Sequence, residues 1–148
     1  MEIAPATQGD IPALAALLSE LFTQEVEFSP DQEAQLRGLA QIIGDPVIGI
    51  VLVAKNDGVV VGMANILFSV STALGARVAI LDDFVVTANA RGGGIGEKLL
   101  EQAIATARKH ECKRITLMTD RLNEAAQRLY ARHGFEQSTM VPFRLSLA

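Results

Sequence analysis

The chain has few cysteines, few basic residues and no long apolar run, and each shortage excludes a class of protein. Its 148 residues include a single cysteine, Cys112, which excludes an intrachain disulfide. Thirteen lysines and arginines against 17 acidic residues leave a net charge of −4. This balance argues against a nucleic-acid partner, because phosphate contacts need clustered cations. No stretch of about 18 consecutive apolar residues is present, so we expect no membrane span.

The amino terminus lacks the basic segment and apolar core of a secretory signal. Together with the single cysteine, this leads us to expect a cytoplasmic protein. The length and the 49% hydrophobic fraction fit one globular domain over residues 1–148. No group of His, Cys and Asp has the spacing of metal ligands, so we expect no metal.

Hydrophobic periodicity predicts a mixed α/β domain with the order β, α, α, β, β, β, α, β, α, β, β. The first half has the pattern of an antiparallel meander, in which Asn56-Asp57-Gly58 indicates a tight hairpin turn. A later strand, helix and strand form one crossover, which makes its two strands parallel. The elements of the second half are predicted at Val78–Val86, Ile95–His110, Arg114–Thr119, Asn123–His133, Phe135–Gln137 and Val141–Leu147.

The segment Arg91-Gly92-Gly93-Gly94-Ile95-Gly96 lies between a predicted strand and a predicted helix. Glycines remove side chains where backbone must approach a ligand, and the first turn of a helix offers unpaired N–H groups. The arrangement is therefore typical of a phosphate site. It is not a nucleotide P-loop, because no Gly-Lys-Ser/Thr follows, and the third glycine of a dinucleotide fingerprint would fall on Glu97.

The pattern Arg-x-x-Gly-x-Gly after the fourth strand resembles the central motif of the GNAT superfamily of N-acetyltransferases. The preceding strand, Leu81-Asp82-Asp83-Phe84-Val85-Val86, also resembles that family. A second motif is similar too: Asn123-Glu124-Ala125-Ala126, then Leu129-Tyr130, then Gly134-Phe135. Within the superfamily the sequence looks most like the diamine (spermidine/spermine) acetyltransferase branch, where a Glu-Asp-Phe-type strand precedes the glycine loop.

The resemblance implies a sheet with splayed central strands that holds acetyl-CoA. The loop amides, with Arg91 as a nearby cation, would hold the pyrophosphate of coenzyme A, and the strand backbone would pair with the pantetheine arm. Asn123 would contact coenzyme A, cap its helix, or both. The cofactor residues implied in this way are Phe84, Val85, Val86, Arg91, Gly92, Gly93, Gly94, Ile95, Gly96, Glu97 and Asn123.

The resemblance also implies two catalytic residues. Tyr130, the only tyrosine, would protonate the leaving thiolate. Asp82 stands where the polyamine-like enzymes have a glutamate; it would accept the proton of the amine through a water, or it forms a structural ion pair with an arginine such as Arg77. Strand alternation places Asp83 on the opposite face, where it is a candidate for substrate contact. Glu25 and Glu27 either line the acceptor site or belong to a solvated loop.

The sequence therefore predicts an acetyl-CoA-dependent N-acetyltransferase. Its acceptor would be a primary amine of a small molecule, which attacks the thioester directly in a ternary complex. One alternative is a protein N-terminal or lysine acetyltransferase, and another is a non-catalytic acyl-CoA-binding sensor. The apolar end of the chain, Phe143-Arg144-Leu145-Ser146-Leu147, is a candidate for pairing across a homodimer.

Overall fold

One five-stranded sheet organises the fold, and the computed structural model describes it over residues 1–25 and 27–148. The strand order is β1-β2-β3-β4-β5, with β4 and β5 parallel and the other neighbours antiparallel. This confirms the predicted mixed α/β class, its meander and its single crossover. The elements are β1 (Glu2–Pro5), α1 (Ile11–Gln24), α2 (Gln32–Ile43), β2 (Gly49–Asn56), β3 (Val59–Ser71), β4 (Ala76–Val86), α3 (Ile95–Lys109), β5 (Ile115–Leu117) and α4 (Glu124–Arg132).

The β2–β3 hairpin forms where the sequence predicts it. Asp57 and Gly58 have φ values of 48° and 79°, the left-handed conformations that a two-residue hairpin turn requires. Side chains then alternate between the two faces of the sheet. Leu52 and Ala54 pack on the face covered by α3 and α4, and Val51 and Val53 on the face covered by α1 and α2.

The helices bury one face each against this sheet. In α3, Leu99 and Leu100 are completely buried, and the apolar positions recur at helical spacing. In α1, Leu14 and Ala15 are completely buried on the opposite side of the sheet. In the described part of the chain, every helix is too short or too polar to span a membrane.

A β-bulge interrupts the pairing of β3 with β4. Leu81 pairs with Ile66 and Asp83 pairs with Asn65, so Asp82 is an extra residue without a partner in β3. A bulge shifts the alternation of side chains and increases the local twist. Accordingly, Leu81 and Phe84 both pack toward α3 and α4 although they are three residues apart.

The pairing of β4 with β5 ends where the bulge begins. The parallel ladder joins Ala79, Ile80 and Leu81 to Ile115, Thr116 and Leu117. The rest of β4 continues to Val86 without a β5 partner in the described residues. This is the separation of the central strands that the family resemblance implies.

The two final strands, at Phe135–Gln137 and Val141–Leu147, were predicted wrongly. Neither segment forms a strand, and residues 135–148 have no regular secondary structure. Extended backbone needs a partner strand, and β5 offers only three residues at its outer edge. The chain is fixed elsewhere: Arg144 forms an ion pair with Glu27 and lies 5.4 Å from the ring centre of Phe28. We call residues 136–148 the C-terminal arm.

Candidate functional site

The glycine loop leads directly into α3. Gly92 and Gly94 have φ values of +88° and +80°, and a Cβ on either would meet no atom within 4 Å. Gly94 precedes the helix without a side-chain hydrogen bond to the first turn in the described structure. The first-turn N–H groups therefore receive no side-chain cap in the described structure, and they lie at the positive end of the helix dipole. This cradle fits a phosphate group, as the pyrophosphate of acetyl-CoA requires.

Arg91 fixes the start of the loop. Its Nε donates to the carbonyl oxygen of Val86 at 2.9 Å, and its Nη2 lies 3.9 Å from Glu20 Oε1. Glu20 of α1 also accepts from Thr87 Oγ1 at 3.0 Å and from the Ala88 N–H at 2.8 Å. The guanidinium is thus tied to the end of β4, beside the loop that it was predicted to assist.

The Glu97 side chain joins the loop helix to α4. It lies 3.2 Å from Arg132 and 3.3 Å from His133, and His133 also lies 3.6 Å from Glu101. The ligand atoms of Glu97, Glu101 and His133 lie within 4.8 Å of one another. Sequence spacing did not reveal this group, because the fold brings distant segments together. The contacts of Glu97 with Arg132 and His133 account for the group as a polar cluster that joins α3 to α4.

The open edge of β4 presents backbone groups at alternate residues. The Thr87 N–H donates to Val61 of β3 at 2.8 Å, which fixes the alternation along this strand. The N–H groups of Phe84 and Val86 therefore point away from β3, toward the gap beyond β5. The backbone of Val85 points toward β3, and its side chain is buried on the α1 and α2 face. Of the three predicted strand residues, Phe84 and Val86 thus face the gap.

Tyr130 of α4 lies beside this gap. Its side chain is 8% exposed, and its ring centre lies 6.0 Å from that of Phe84 and 5.8 Å from that of Phe135. Burial, and secondly the negative charge of Glu25, raises the pKa of Tyr130 to about 12. The phenol is therefore protonated at neutral pH and is able to donate a hydrogen bond.

Asn123 caps the helix that carries Tyr130. Its Oδ1 accepts from the Ala126 N–H at 3.1 Å, which satisfies one free donor of the first turn. The cap that the sequence predicted is present and fixes where α4 begins.

Four carboxylates gather where β4 and β5 separate, and we call Glu25, Asp82, Asp83 and Asp120 the acidic cluster. Burial raises the pKa of Glu25, followed by the charges of Asp83, Asp120, Asp82 and Glu27. Burial, with a smaller contribution from Asp82, also raises the pKa of Asp83 to about 6. A hydrogen bond from Asn65 acts in the opposite direction and lowers this pKa. The other three members are therefore close enough for their charges to act on Glu25.

The premise of the prediction that Asp82 and Asp83 point to opposite faces does not hold in β4. It assumed strict alternation, which the bulge interrupts. Both charges act on Glu25. Asp82 is exposed, and the described structure shows no ion pair between it and Arg77, whose guanidinium lies 5.0 Å from the ring centre of Phe68.

One member of the cluster, Asp120, and two residues beside it were missed in the sequence. Asn65 Nδ2 donates to Asp83 Oδ2 at 2.9 Å. Asp120 follows β5 and acts electrostatically on Glu25. Arg144 of the C-terminal arm contributes a positive charge that interacts with Asp82 and Glu25. Asn65, a polar residue in the middle of the apolar part of β3, was the one sequence signal available for this set.

A separate surface depression lies on the other side of the loop. It has a volume of about 590 Å³ and is bordered by Asn56, Val59, Thr87, Gly93 and Lys98. The gap beside Phe84 and Tyr130 is instead an open slot along a strand edge. Phe84, Tyr130 and the acidic cluster lie along this slot, so we place the candidate site there.

Comparison with known proteins agrees with this geometry. The model of the acetyltransferase (GNAT) family matches residues 11–135. The Bacillus subtilis (strain 168) protein described as uncharacterized N-acetyltransferase YhfO is 30% identical over 128 residues, which cover 84% of this chain and 85% of that protein. The aminoalkylphosphonate N-acetyltransferase of Salmonella typhimurium is 29% identical over 137 residues, which cover 93% of this chain and 86% of that protein.

Solved structures show the same fold. An integron cassette protein from the Cole Harbour salt marsh metagenome, HFX_CASS3, has a TM-score of 0.86 and 26% identity, covering 99% of this chain and 90% of that one. The aminoglycoside N-acetyltransferase AAC(6')-Iy, solved with CoA, has a TM-score of 0.82 and 19% identity. The match covers 99% of this chain and 95% of that one. At that identity the second likeness shows the fold alone. The chain belongs to the GNAT family and is an N-acetyltransferase that uses acetyl-CoA.

Proposed function

We propose that this enzyme acetylates a primary amine of a small cationic molecule, with the amine attacking acetyl-CoA directly in a ternary complex. The observation that supports this most is the acidic cluster at the end of the open edge of β4. Opposite charges attract and like charges repel, so four carboxylates at one site favour an acceptor with more than one positive charge. Polyamine-like acceptors, as the sequence resemblance implied, meet this requirement.

Acetyl-CoA supplies the thioester and its acetyl group. We assign its pyrophosphate to the N–H groups of residues 92–97 and its pantetheine arm to the outward backbone of Phe84 and Val86. The arm would complete the sheet as another strand does, since unpaired backbone groups favour a partner. Arg91 keeps the loop attached to the end of β4.

Tyr130 would act on the leaving sulfur as a hydrogen-bond donor. A thiol has a pKa of about 8.5, so complete transfer of a proton from a phenol with a pKa of about 12 costs roughly 5 kcal/mol. Donation of a hydrogen bond avoids that cost and still stabilises the charge that develops on sulfur. The predicted role as a proton donor is thereby narrowed to stabilisation of the thiolate.

The acceptor would bind through the carboxylates that line the slot. Asp82, exposed at the bulge, is placed to hold the reacting ammonium or a water beside it. Glu25 and Glu27 follow α1 and would form the opposite wall, with Glu27 already paired to Arg144. Asp83 lies deeper, against Asn65.

The named substrate of the Salmonella relative provides a contrast. An aminoalkylphosphonate has an anionic group, which the acidic cluster would repel. We therefore expect this chain to prefer diamines and polyamines over aminoalkylphosphonates. The remaining alternative acceptor, the amino terminus or a lysine of a protein, would need a longer groove for the peptide.

An acceptor panel tests the proposal. Purified enzyme and acetyl-CoA are incubated with diamines, polyamines, monoamines, aminoalkylphosphonates and short peptides, and release of free coenzyme A is measured. We expect the highest kcat/KM for the multiply charged amines. Preference for a peptide would support the protein-acetylating alternative. Tight acetyl-CoA binding without turnover on any amine would support a non-catalytic sensor and contradict the proposal.

The Tyr130→Phe variant tests the assigned donor. It removes the hydroxyl and keeps the ring contacts with Phe84 and Phe135. We expect kcat to fall at least tenfold, with the Kd for acetyl-CoA from calorimetry unchanged. An unchanged kcat would contradict the role of the hydroxyl.

We also propose that residues 1–148 act as one catalytic domain and that two copies associate. The two hydrophobic clusters share one sheet, which supports a single folding unit. The C-terminal arm exposes four apolar side chains at alternate positions, Val141, Phe143, Leu145 and Leu147, each at least 74% exposed. A dimer in light scattering is expected, and a monomer at all concentrations would contradict association.

A further inference from the structure

Asn65 is a buried amide with one unused hydrogen-bonding atom. The residue is 3% exposed, in the middle of β3, and its Nδ2 donates to Asp83 Oδ2 at 2.9 Å. Its Oδ1 is buried and has no hydrogen-bond partner in the described part of the chain. A buried acceptor without a partner costs free energy, so this atom calls for an explanation.

Protonation of Asp83 would explain why Asn65 Oδ1 has no partner. An ionised carboxylate only accepts hydrogen bonds, whereas a carboxylic acid also donates one. When Asp83 carries a proton, its O–H can donate to Asn65 Oδ1 while Asn65 Nδ2 donates back. The two side chains then form a ring of two hydrogen bonds. The pair is therefore fully bonded only when Asp83 is protonated.

We propose that Asp83 accepts the proton that the acceptor ammonium loses, and that Asn65 is a positioning residue that holds Asp83 in its protonated form. This inference rests on the proposed function, and it moves the role of base from Asp82 to its buried neighbour. Asp82 retains the role of holding the ammonium at the exposed end of the slot.

The protons balance across the reaction. The ammonium, with three protons on nitrogen, gives one to the Asp83 carboxylate and becomes a neutral amine. The amine nitrogen forms the bond to the acetyl carbon as the carbon–sulfur bond breaks. Nitrogen then loses a second proton, which ends on the sulfur of coenzyme A, and keeps the third in the amide. Asp83 releases its proton to solvent before the next turnover.

The surroundings of Asp83 are suited to this exchange. Burial raises the pKa of Asp83 to about 6, with a smaller contribution from the Asp82 charge, although the hydrogen bond from Asn65 Nδ2, which the ionised form also accepts, lowers it. The carboxylate is therefore available at neutral pH yet basic enough to accept a proton. The other charged or titratable groups at the site are Glu25 after α1, Asp120 after β5, Tyr130 of α4, and Glu27 with Arg144. The carboxylates oppose further negative charge, and Arg144 partly offsets them.

Carbon-13 NMR of the full-length enzyme tests the pair directly. We expect the Cγ signals of Asp83 and Asn65 to shift together with pH, with one midpoint near pH 6. In Asp83→Asn, the Asn65 signal should not titrate. That variant should also melt at a higher temperature at pH 7, because two amides form the same ring without a charge. Asp82→Asn is the matched control: the Asn65 titration should persist with a lower midpoint, since one neighbouring negative charge is removed.

The pH dependence of kcat/KM tests the catalytic part. Wild type should lose activity below the NMR midpoint, and Asp83→Asn should be at least tenfold slower without that acidic limb. An Asn65 signal that ignores pH, an Asp83 midpoint near 4, or a wild-type pH profile in Asp83→Asn would each overturn the inference. Absence of transfer to every amine would instead contradict the proposed function, while the NMR titration still decides whether the pair forms.

Discussion

At the scale of single residues, two carboxylates show how partners determine protonation. Asp10 is mostly buried, and its Oδ1 lies 2.8 Å from Lys55 Nζ while its Oδ2 accepts from the Thr7 N–H at 2.8 Å. The hydrogen bond from Lys55, followed by that from Thr7, lowers the pKa of Asp10. Burial raises the pKa of Asp83, and the hydrogen bond from its amide partner Asn65 lowers it by less. Asp10 therefore stabilises the fold as an anion, whereas burial destabilises the anion of Asp83.

Replacing Asp10 by Asn should destabilise the protein at neutral pH by about 1–3 kcal/mol, because Lys55 loses its buried partner. The folded-state pKa lies below the unfolded one, so the stabilisation is present above about pH 4 and is lost as pH falls through the folded value. Urea unfolding at several pH values measures this, with Glu136→Gln on the exposed arm as control. Equal stability of wild type and Asp10→Asn at pH 7 would show that the Asp10–Lys55 ion pair does not stabilise the fold.

Residue identities were predictable only where a motif or a turn defines them. The loop glycines, Tyr130 and the Asn123 cap were recognisable from the sequence. The Asn65–Asp83 pair was not, because one extra residue in β4 changes which side chains share a face. Alternation read from sequence cannot detect such a bulge.

At the scale of elements, the bulge in β4 positions the site. It follows the last pair of the β4–β5 ladder, increases the local twist and leaves Phe84 and Val86 facing the gap. The glycine loop then places the start of α3 at the end of that gap. Helices and hairpins were predicted well from periodicity and turn residues. The final strands were not, since a strand forms only where another edge accepts it.

A pair of glycine variants separates strain from binding. Gly94 and Gly75 both have positive φ values, +80° and +60°, and at both positions a Cβ would stand in open space. Gly75 precedes β4 at the end opposite the glycine loop. Alanine at either position should cost about 1 kcal/mol of stability. Gly94→Ala alone should weaken acetyl-CoA binding, at least tenfold by calorimetry. Equal affinity in both variants would show that the cradle is elsewhere.

At the scale of the whole molecule, a modest net charge of −4 conceals an uneven distribution. Carboxylates gather at the slot, and the C-terminal arm brings Arg144 to the same region. Hydrogen bonding to Glu27 raises the pKa of Arg144, and the charges of Glu27, Asp82 and Glu25 act in the same direction. A cation of the protein thus lies where we expect a cationic substrate to bind.

Replacing Arg144 by Gln should lower KM for a diamine severalfold, because one repulsive charge is removed from the slot. The same change should raise KM for an aminoalkylphosphonate. Arg37→Gln, which changes the charge equally on the exposed face of α2, is the control. Added salt should reduce the difference, since it screens exposed charges. Identical KM values in the two variants would exclude a role for the arm.

The open edge of β4 is where acetyl-CoA must bind if the site is placed correctly. Amide hydrogen exchange, followed by NMR with and without acetyl-CoA, measures this residue by residue. The N–H groups of Phe84 and Val86 should exchange at least tenfold more slowly when acetyl-CoA is bound, while Val85, which faces β3, should change little. Saturable binding of acetyl-CoA with no slowing at Phe84 and Val86 would contradict this placement of the cofactor.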